Sequence, residues 1–342
     1  MRYLFSVGFQ RYVSKLLPLI GKGVVSDDAF NELALELFAL QLEHNAAYRK
    51  LCQGGKDVHS WREILAVPTA AFKELELTSI PPEERIKEFR SSGTTGQKPS
   101  RHFHSAESLG IYEASLGPPL KEHFLKKGMV LVSLTPSAKD APHSSLVHMF
   151  STIKPAFVGR ENWSVDVEKC SGLTSAATGT IGMMGTAFNF VNLIDEVGTL
   201  KLPSGSRVLE TGGYKGRSRE VLRTELHEMI RNRLGVSEIV MEYGMCELSS
   251  QAYAPAALRS DETQPREIFQ FPPWARVQVV SPENGREVKE GETGLIRVFD
   301  LANVWSVLAV QTEDLGVRRG HGFELLGRAS GAEARGCSLM SL

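Results

Sequence analysis

A run of small hydroxyl side chains and glycines, Ser91-Ser92-Gly93-Thr94-Thr95-Gly96, is followed closely by Lys98 and Arg101. That composition suits a backbone loop wrapped around phosphate oxygens. Glycine permits positive φ and close approach, and successive N–H groups form an anion-binding nest. The hydroxyls add donors without bulk, and Lys98 or Arg101 adds charge. The stretch lacks the Gly-Lys-Ser/Thr ending of a Walker loop, so a bound nucleotide is held by another kind of fold. An ordinary surface loop is the plain alternative. Three further segments carry groups suited to the rest of a nucleotide. In Tyr243-Gly244-Met245-Cys246-Glu247, Tyr243 offers an aromatic face for a base and Glu247 a hard carboxylate oxygen for Mg2+. Asp314 can accept hydrogen bonds from ribose hydroxyls, and Arg328 can bond ribose or phosphate. Singly, each has an ordinary structural explanation, such as a solvated acid or a tyrosine packed at a turn. Their order and spacing give them weight together.

These groups need elements to hold them. Residues 207–210 read as a short strand, 211–216 as a turn, 218–234 as a helix stopped by Gly235, and 238–242 as a second strand. A β-turn-α-β unit implies parallel strands, and ligands bind beyond the carboxyl ends of such strands. Gly213, Tyr214 and Lys215 lie at one such end, and Tyr243 to Glu247 at the other. Residues 129–134 read as a buried strand. The loop and helix after it carry His143, for which a structural role is the default reading. Residues 179–197 are apolar and glycine-rich, and read as a helix whose Met183, Met184 and Gly185 approach a ligand closely, with a plain core helix as the alternative. Ser26-Asp27-Asp28 caps a helix that continues past Leu40. Residues 61–77 read as a second helical region, and 105–116 as a helix punctuated by Pro118-Pro119. After Pro265 the pattern turns to alternating strands around Asn284-Gly285.

Length and composition set the frame. The chain has 342 residues, 42% hydrophobic and 23% charged, with a formal net charge of −1. That describes a globular chain of one large or two ordinary domains and gives no reason to expect nucleic-acid or membrane-surface binding. Cys52, Cys170, Cys246 and Cys337 are scattered without a Cys-x-x-Cys pair, which fits a reducing compartment and no zinc site. The first twenty residues lack a signal-peptide pattern, and no apolar run is long enough to span a bilayer, so the expected location is cytoplasmic.

Taken together, the motifs resemble those of the adenylate-forming superfamily of acyl-CoA synthetases, luciferases and peptide-synthetase adenylation domains. The segment 91–96 looks like its phosphate loop, and Tyr243 to Glu247 like its Tyr-Gly-x-Thr-Glu motif, with Cys246 in place of Thr. Gln97-Lys98-Pro99 departs from the usual order, which puts Pro before Lys. Within that superfamily the closest likeness is to the acyl-protein synthetase of bacterial fatty-acid reductase complexes. It is carried by Thr211-Gly-Gly-Tyr-Lys-Gly-Arg-Ser-Arg219, by Gly322-Phe-Glu-Leu-Leu-Gly-Arg328, and by Gly331-Ala-Glu-Ala-Arg-Gly-Cys-Ser-Leu339.

The resemblance implies an α/β fold of the adenylate-forming N-terminal-domain type. It has mainly parallel sheets flanked by helices and a small β-rich subdomain. The implied division is 1–264 for the helical N-terminus and core, 265–329 for the subdomain, and 330–342 for a tail carrying Cys337. The chain ends fourteen residues after Arg328, so the superfamily's mobile C-terminal domain and its lysine are expected to be absent. Lys98 and Lys215 are the candidate substitutes. The implied reaction joins a carboxylic acid, in this family a fatty acid, to ATP as an acyl-AMP. Ser91, Ser92, Gly93, Thr94, Thr95, Gly96 and Lys98 would take the phosphates, and Glu247 the Mg2+. Gly213, Tyr214, Tyr243, Gly244 and Met245 would frame the adenine, and Asp314 and Arg328 the ribose. His143, Met183, Met184 and Gly185 would line the acid site. Cys337 would then carry the acyl group to an acyl reductase partner. Two readings stay open beside this one: activation of an aromatic or other small acid without self-acylation, and a non-catalytic nucleotide-binding subunit of a reductase complex.

Overall fold

In the computed structural model, described over residues 2–53, 57–91, 98–214, 218–255 and 267–329, three helices come first. They are α1 (Arg2–Lys22), α2 (Asp27–His44) and α3 (Ala46–Leu51). The Ser26 hydroxyl caps α2 by accepting from the Ala29 N–H, as its sequence suggests. The helix runs on to His44, where the Asn45 side chain caps α3 in turn.

The expected short helical region at 61–77, broken by Pro68, is only partly helical. That segment holds a single 3-10 turn at Trp61–Glu63, a two-residue strand β1 (Val67–Pro68) and a one-turn helix α4 (Ala71–Glu74). Strand β1 pairs in parallel with a strand far along the chain, which a local reading cannot see. Next, β2 (Lys87–Arg90) and β3 (Arg101–His104) form an antiparallel hairpin. Its connection contains the hydroxyl–glycine run.

A parallel layer follows. Helix α5 (Ala106–His123) starts at a capping box made by Ser105 and Ser108. It does not stop at Pro118-Pro119 but continues to His123. An interior proline costs roughly 3 kcal/mol, and here burial of Leu116, Pro119 and Leu120 offsets it. Then come β4 (Val130–Ser133), α6 (Ser145–Thr152), β5 (Ala156–Phe157), α7 (Val167–Ala176), β6 (Ile181–Thr186) and α8 (Ala187–Val197). The chain continues with β7 (Arg207–Thr211), α9 (Arg223–Leu234), β8 (Glu238–Tyr243) and β9 (Ala252–Pro255). These six strands make one sheet in the order β5-β4-β6-β7-β8-β9, parallel except for β9. The expected β7-α9-β8 unit is present, and Gly235 ends α9 in the left-handed conformation at φ 72°. The helix starts at Arg223, later than the sequence suggests.

The stretch 179–197 is not one helix. Its first half is β6, buried on both faces, and only its second half is helical, capped by Thr186. A strand covered on both sides has no alternation to betray it. Its glycine at 182 is closely packed: a Cβ there would lie 2.5 Å from Met129 Sδ, so that side chain would have to shift.

The second large sheet is antiparallel except where β1 pairs with it. It contains β10 (Ile268–Phe269), β11 (Ala275–Val280), β12 (Thr293–Asp300), β13 (Ala309–Arg319) and β14 (Gly322–Arg328), in the order β10-β14-β13-β12-β11. The connection 300–308 is gripped by the N-terminal helices. Tyr12 Oη donates to Leu301 O at 3.1 Å, and Gln41 Nε2 to Asn303 O and Val304 O at 2.9 and 3.0 Å. Gln41 Oε1 accepts from Leu308 N at 2.8 Å, and Asn45 Nδ2 donates to Ser306 O at 3.2 Å. Gln41 and Asn45 are fully buried. Among the described residues, no helix is long and apolar enough to cross a membrane.

Replacing Gln41 by Leu strands a buried N–H and two carbonyls, so Gln41→Leu is expected to lose about 3 kcal/mol of stability. Urea unfolding measures this, and a loss below about 1 kcal/mol would mean that the connection holds itself.

Candidate active site

Segment 244–250, just after β8, is held from the second sheet. Asp300 Oδ2 accepts from Ser249 N at 2.9 Å and Ser250 N at 2.8 Å, and Oδ1 accepts from Ser250 Oγ at 2.8 Å. Asn303 Nδ2 donates to Glu247 O at 3.0 Å, and Ser249 Oγ and Asn303 Oδ1 lie 3.0 Å apart. Burial pushes the Asp300 carboxyl upward, and its four hydrogen bonds work against that. The result is a rigid backbone under Glu247, which is 1% exposed.

A cavity of about 400 Å3 opens above this segment. Glu247, Asp314 and Arg328 line it together with Ser91 and His143, so five residues expected from the sequence converge from five separate segments. Gly244 and Met245 also line it. Asp314 and Arg328 are register partners on β13 and β14. Arg328 Nη1 lies 3.6 Å from Asp314 Oδ1, and Arg328 Nη2 pairs with Glu313. Ser91 bridges the base of the hairpin connection: its N–H donates to Ser100 O at 3.1 Å, and its Oγ accepts from Ser100 N at 2.8 Å. His143 shares two bonds with the β2 edge, its Nδ1 with Glu88 O at 3.0 Å and its carbonyl with Arg90 N at 2.9 Å.

Other expected residues sit elsewhere. Tyr243 is 1% exposed and does not line the cavity. Its ring meets Phe323 edge-on at 5.2 Å, and its hydroxyl donates to Asp314 Oδ2 at 2.8 Å. Its ring is packed away from the cavity, and its hydroxyl orients Asp314. Met183 and Met184 are fully buried in β6, and neither they nor Gly185 reach the cavity wall. They are core of the sheet, because the segment is a central strand. Gly213 and Tyr214 follow β7, but it is Gly212, at φ 68°, that lines the cavity. Lys98 Nζ is 3.1 Å from Glu74 Oε2, with the lysine half-exposed and off the cavity wall. Ser92, Gly93, Thr94, Thr95, Gly96, Lys215 and Cys337 lie outside the described residues.

The cavity also holds residues that the sequence did not single out: Thr211, Glu242, Gln251, Tyr112 and Trp163. Glu242 lies near the end of β8, and Thr211 Oγ1 donates to its Oε2. Full burial, with Glu210 nearby, pushes Glu242 up to about 7. Alternation along β8 was its only sequence signal, and both strand faces are covered. Cys246, the variant position of the motif, donates its Sγ–H to Glu247 Oε2 at 3.2 Å. Among the described residues, no group of three or more His, Cys, Asp or Glu side chains is arranged to hold a metal ion. A buried carboxylate on a cavity wall nonetheless fits Mg2+, which takes one or two carboxylates beside substrate phosphates and water.

Residues 179–341 match the family model described as acyl-protein synthetase, LuxE. That span, just under half of the chain, is similar to the acyl-protein synthetases. It is 23% identical over 335 residues to a long-chain-fatty-acid–luciferin-component ligase of Aliivibrio fischeri, covering 90% of this chain and 86% of that one. Among solved structures it is similar to ATP-bound MatB from Rhodopseudomonas palustris, with 18% identity, TM-score 0.51 and 73% of this chain covered. It is also similar to AMP-bound O-succinylbenzoate coenzyme A synthetase, MenE, from Bacillus subtilis, with 20% identity, TM-score 0.51 and 72% covered. These likenesses establish an adenylate-forming fold. The chain spans about half the length of either solved structure, 49% and 50%.

One contact ties the hairpin to the motif. His102 on β3 is 3% exposed, and its Nδ1 lies 2.6 Å from Cys246 O, so the imidazole is neutral with the proton on Nδ1. Burial drives its pKa down from 6.5 to about 4. The unfolded chain therefore takes up this proton first, and stability is lost as pH falls from about 6.5 toward 4. At pH 5 this one group costs about 2 kcal/mol. His102→Asn keeps an N–H donor but cannot titrate. Its loss of stability between pH 7 and pH 5, measured by urea unfolding, is expected to be about 2 kcal/mol smaller than in the parent. An equal loss would remove His102 as the source.

Proposed function

We propose that this protein activates a carboxylic acid, in the first instance a fatty acid, as its acyl-AMP and passes the acyl group to Cys337. The observation that carries this reading is the convergence of Ser91, Glu247, Asp314 and Arg328 on one cavity. It is supported by the family match over 179–341, a span that includes Cys337. A carboxylate oxygen attacks the α-phosphorus of ATP, the P–O bond to the leaving pyrophosphate breaks, and the products are acyl-AMP and pyrophosphate. The acid is already ionised at neutral pH, so no base is needed. Catalysis then rests on positioning and charge compensation.

Asp314, oriented by Tyr243 and facing Arg328, suits the ribose hydroxyls. The run 91–96 in the hairpin connection suits the phosphates, and Lys98 follows it in the chain. Glu247 suits Mg2+, which when bound offsets charge on the leaving group. In the second step the Cys337 thiolate attacks the acyl carbonyl, a thioester forms, and AMP leaves with the bonding pair. The thioester can then hand the acyl group to a reductase partner.

The test is acid-dependent exchange of labelled pyrophosphate into ATP, followed by mass measurement of the protein. Glu247→Gln is expected to lower exchange by about a hundredfold or more. Cys337→Ala is expected to keep exchange and lose the covalent acyl group. An acyl label retained in Cys337→Ala would overturn the role of Cys337. ATP binding without exchange on any acid would favour a non-catalytic nucleotide-binding subunit.

A further inference from the structure

A turn beside the cavity carries a tryptophan where its backbone favours glycine. Gly159 and Val165 pair as an antiparallel bridge, and the chain between them reverses tightly. Arg160 N donates to Ser164 O and Trp163 N to Arg160 O, both at 2.8 Å. Trp163 completes the reversal at φ 70°, in the left-handed region. Short hairpin turns usually place glycine in that conformation, because a bulky side chain there is strained. Asparagine tolerates it better, yet Asn162 stands one position earlier, where its Oδ1 accepts from Ser164 N and Oγ at 3.0 and 2.7 Å. The Trp163 carbonyl is pinned in turn by Asn189, fully buried at the start of α8, whose Nδ2 donates to it at 3.0 Å. Backbone strain of this kind persists only where the surroundings enforce it, and it concentrates at ligand sites.

The position of this turn along the sheet says which ligand group it meets. Trp163 lines the cavity beside Thr186, and its ring lies 6.0 Å from that of Phe188. Thr186 ends β6 and caps α8, so Trp163 stands at the carboxyl end of β6. Gly244 and Glu247 follow β8, with β7 between the two strands. Neighbouring strands are about 4.8 Å apart, which separates the two strand ends by roughly 10 Å. The groups suited to a nucleotide are thus gathered at β8 and the second sheet, and the indole lies well to one side of them. Leu146 and Met149 add apolar surface to the same cavity.

We propose that Trp163 is the specificity-determining wall of the acid site, ending the space open to the hydrocarbon chain and so setting the length of acid that is activated. The inference rests on the activation reading above. With its N–H and carbonyl both bonded, the residue is held in place and does not withdraw for a longer chain. In an apolar pocket one methylene too many or too few is worth about 10- to 200-fold in discrimination, so a fixed ring at the end of the chain is a sharp ruler.

The experiment uses saturated straight-chain acids of increasing length. Pyrophosphate exchange gives kcat/KM for each, and calorimetry on the AMP-loaded protein gives Kd. Trp163→Gly suits the backbone and removes the ring. It is expected to raise longer acids over the acid preferred by the parent by about tenfold or more in both measurements, with AMP affinity unchanged. Trp163→Phe, which keeps a smaller ring, is expected to shift the preference part of the way. An order of acids untouched by Trp163→Gly would overturn the wall. So would a loss of AMP affinity with the order of acids kept, which would put the indole against the base instead. If no acid supports exchange, the activation reading fails, and the calorimetric order of acids still decides the part played by Trp163.

Discussion

The site depends on the buried Asp300 carboxylate. It sits at the end of β12 in one sheet and grips the backbone of Ser249 and Ser250, which follow the last parallel strand of the other. Trp274 Nε1 adds a donor to Ser250 Oγ at 3.0 Å, so the grip is closed from the segment just before β11 as well. A carboxylate fully removed from water is costly unless its lone pairs are filled. Here they are filled by Ser249 N, Ser250 N, Ser250 Oγ and Ala302 N. Three of these bonds cross between the two segments, and the fourth, from Ala302, is local to the Asp300 turn. Glu247 and Asp314 therefore face one cavity because the sheets that carry them are locked together a few residues away.

The N-terminal helices stand one step further out in the same chain of support. Among the described residues, they contribute nothing to the cavity wall. Through Tyr12, Gln41 and Asn45 they hold the 300–308 connection, and that connection presents Asp300 and Asn303 to the motif segment. Support thus runs outward, from Glu247 to Asn303, and from there to Gln41. The hairpin is coupled from the opposite side by His102 and the Cys246 carbonyl. The run 91–96 and Glu247 are far apart in sequence, yet a single imidazole separates the strand that follows the first from the backbone beside the second.

Much of this was legible in the sequence, and the gaps have physical causes. The β7-α9-β8 unit was readable because a capped amphipathic helix between two short apolar runs has one simple solution. Glu247, Asp314 and Arg328 were weak singly and became readable through an order and spacing that resembles the adenylate-forming superfamily. Strand β6 was not, since a strand buried on both faces carries no period. Nor was the extension of α5 through Pro118-Pro119, because tertiary burial outweighed a local rule. Tyr243 stands where the motif puts it but plays a different part, since nothing local tells whether a ring faces a ligand or a phenylalanine cluster. Glu242 and Gln251 escaped altogether. A cavity wall is assembled from ends of strands, and its polarity belongs to the assembly.

Electrostatics explain why a cavity so built would take an anionic nucleotide only with help. Its wall carries Asp140, Glu242, Glu247, Glu313 and Asp314 against Arg90 and Arg328 among the described residues. Arg328 is already engaged by Glu313 and approached by Asp314. Its charge is largely compensated before a ligand arrives. A triphosphate entering alone would meet a surplus of carboxylates at short range, in a partly buried setting where salt screens poorly. On the proposed function, a divalent cation accompanying the phosphates would offset that surplus, with Glu247 the carboxylate suited to hold it and Asp314 suited to accept from neutral hydroxyls.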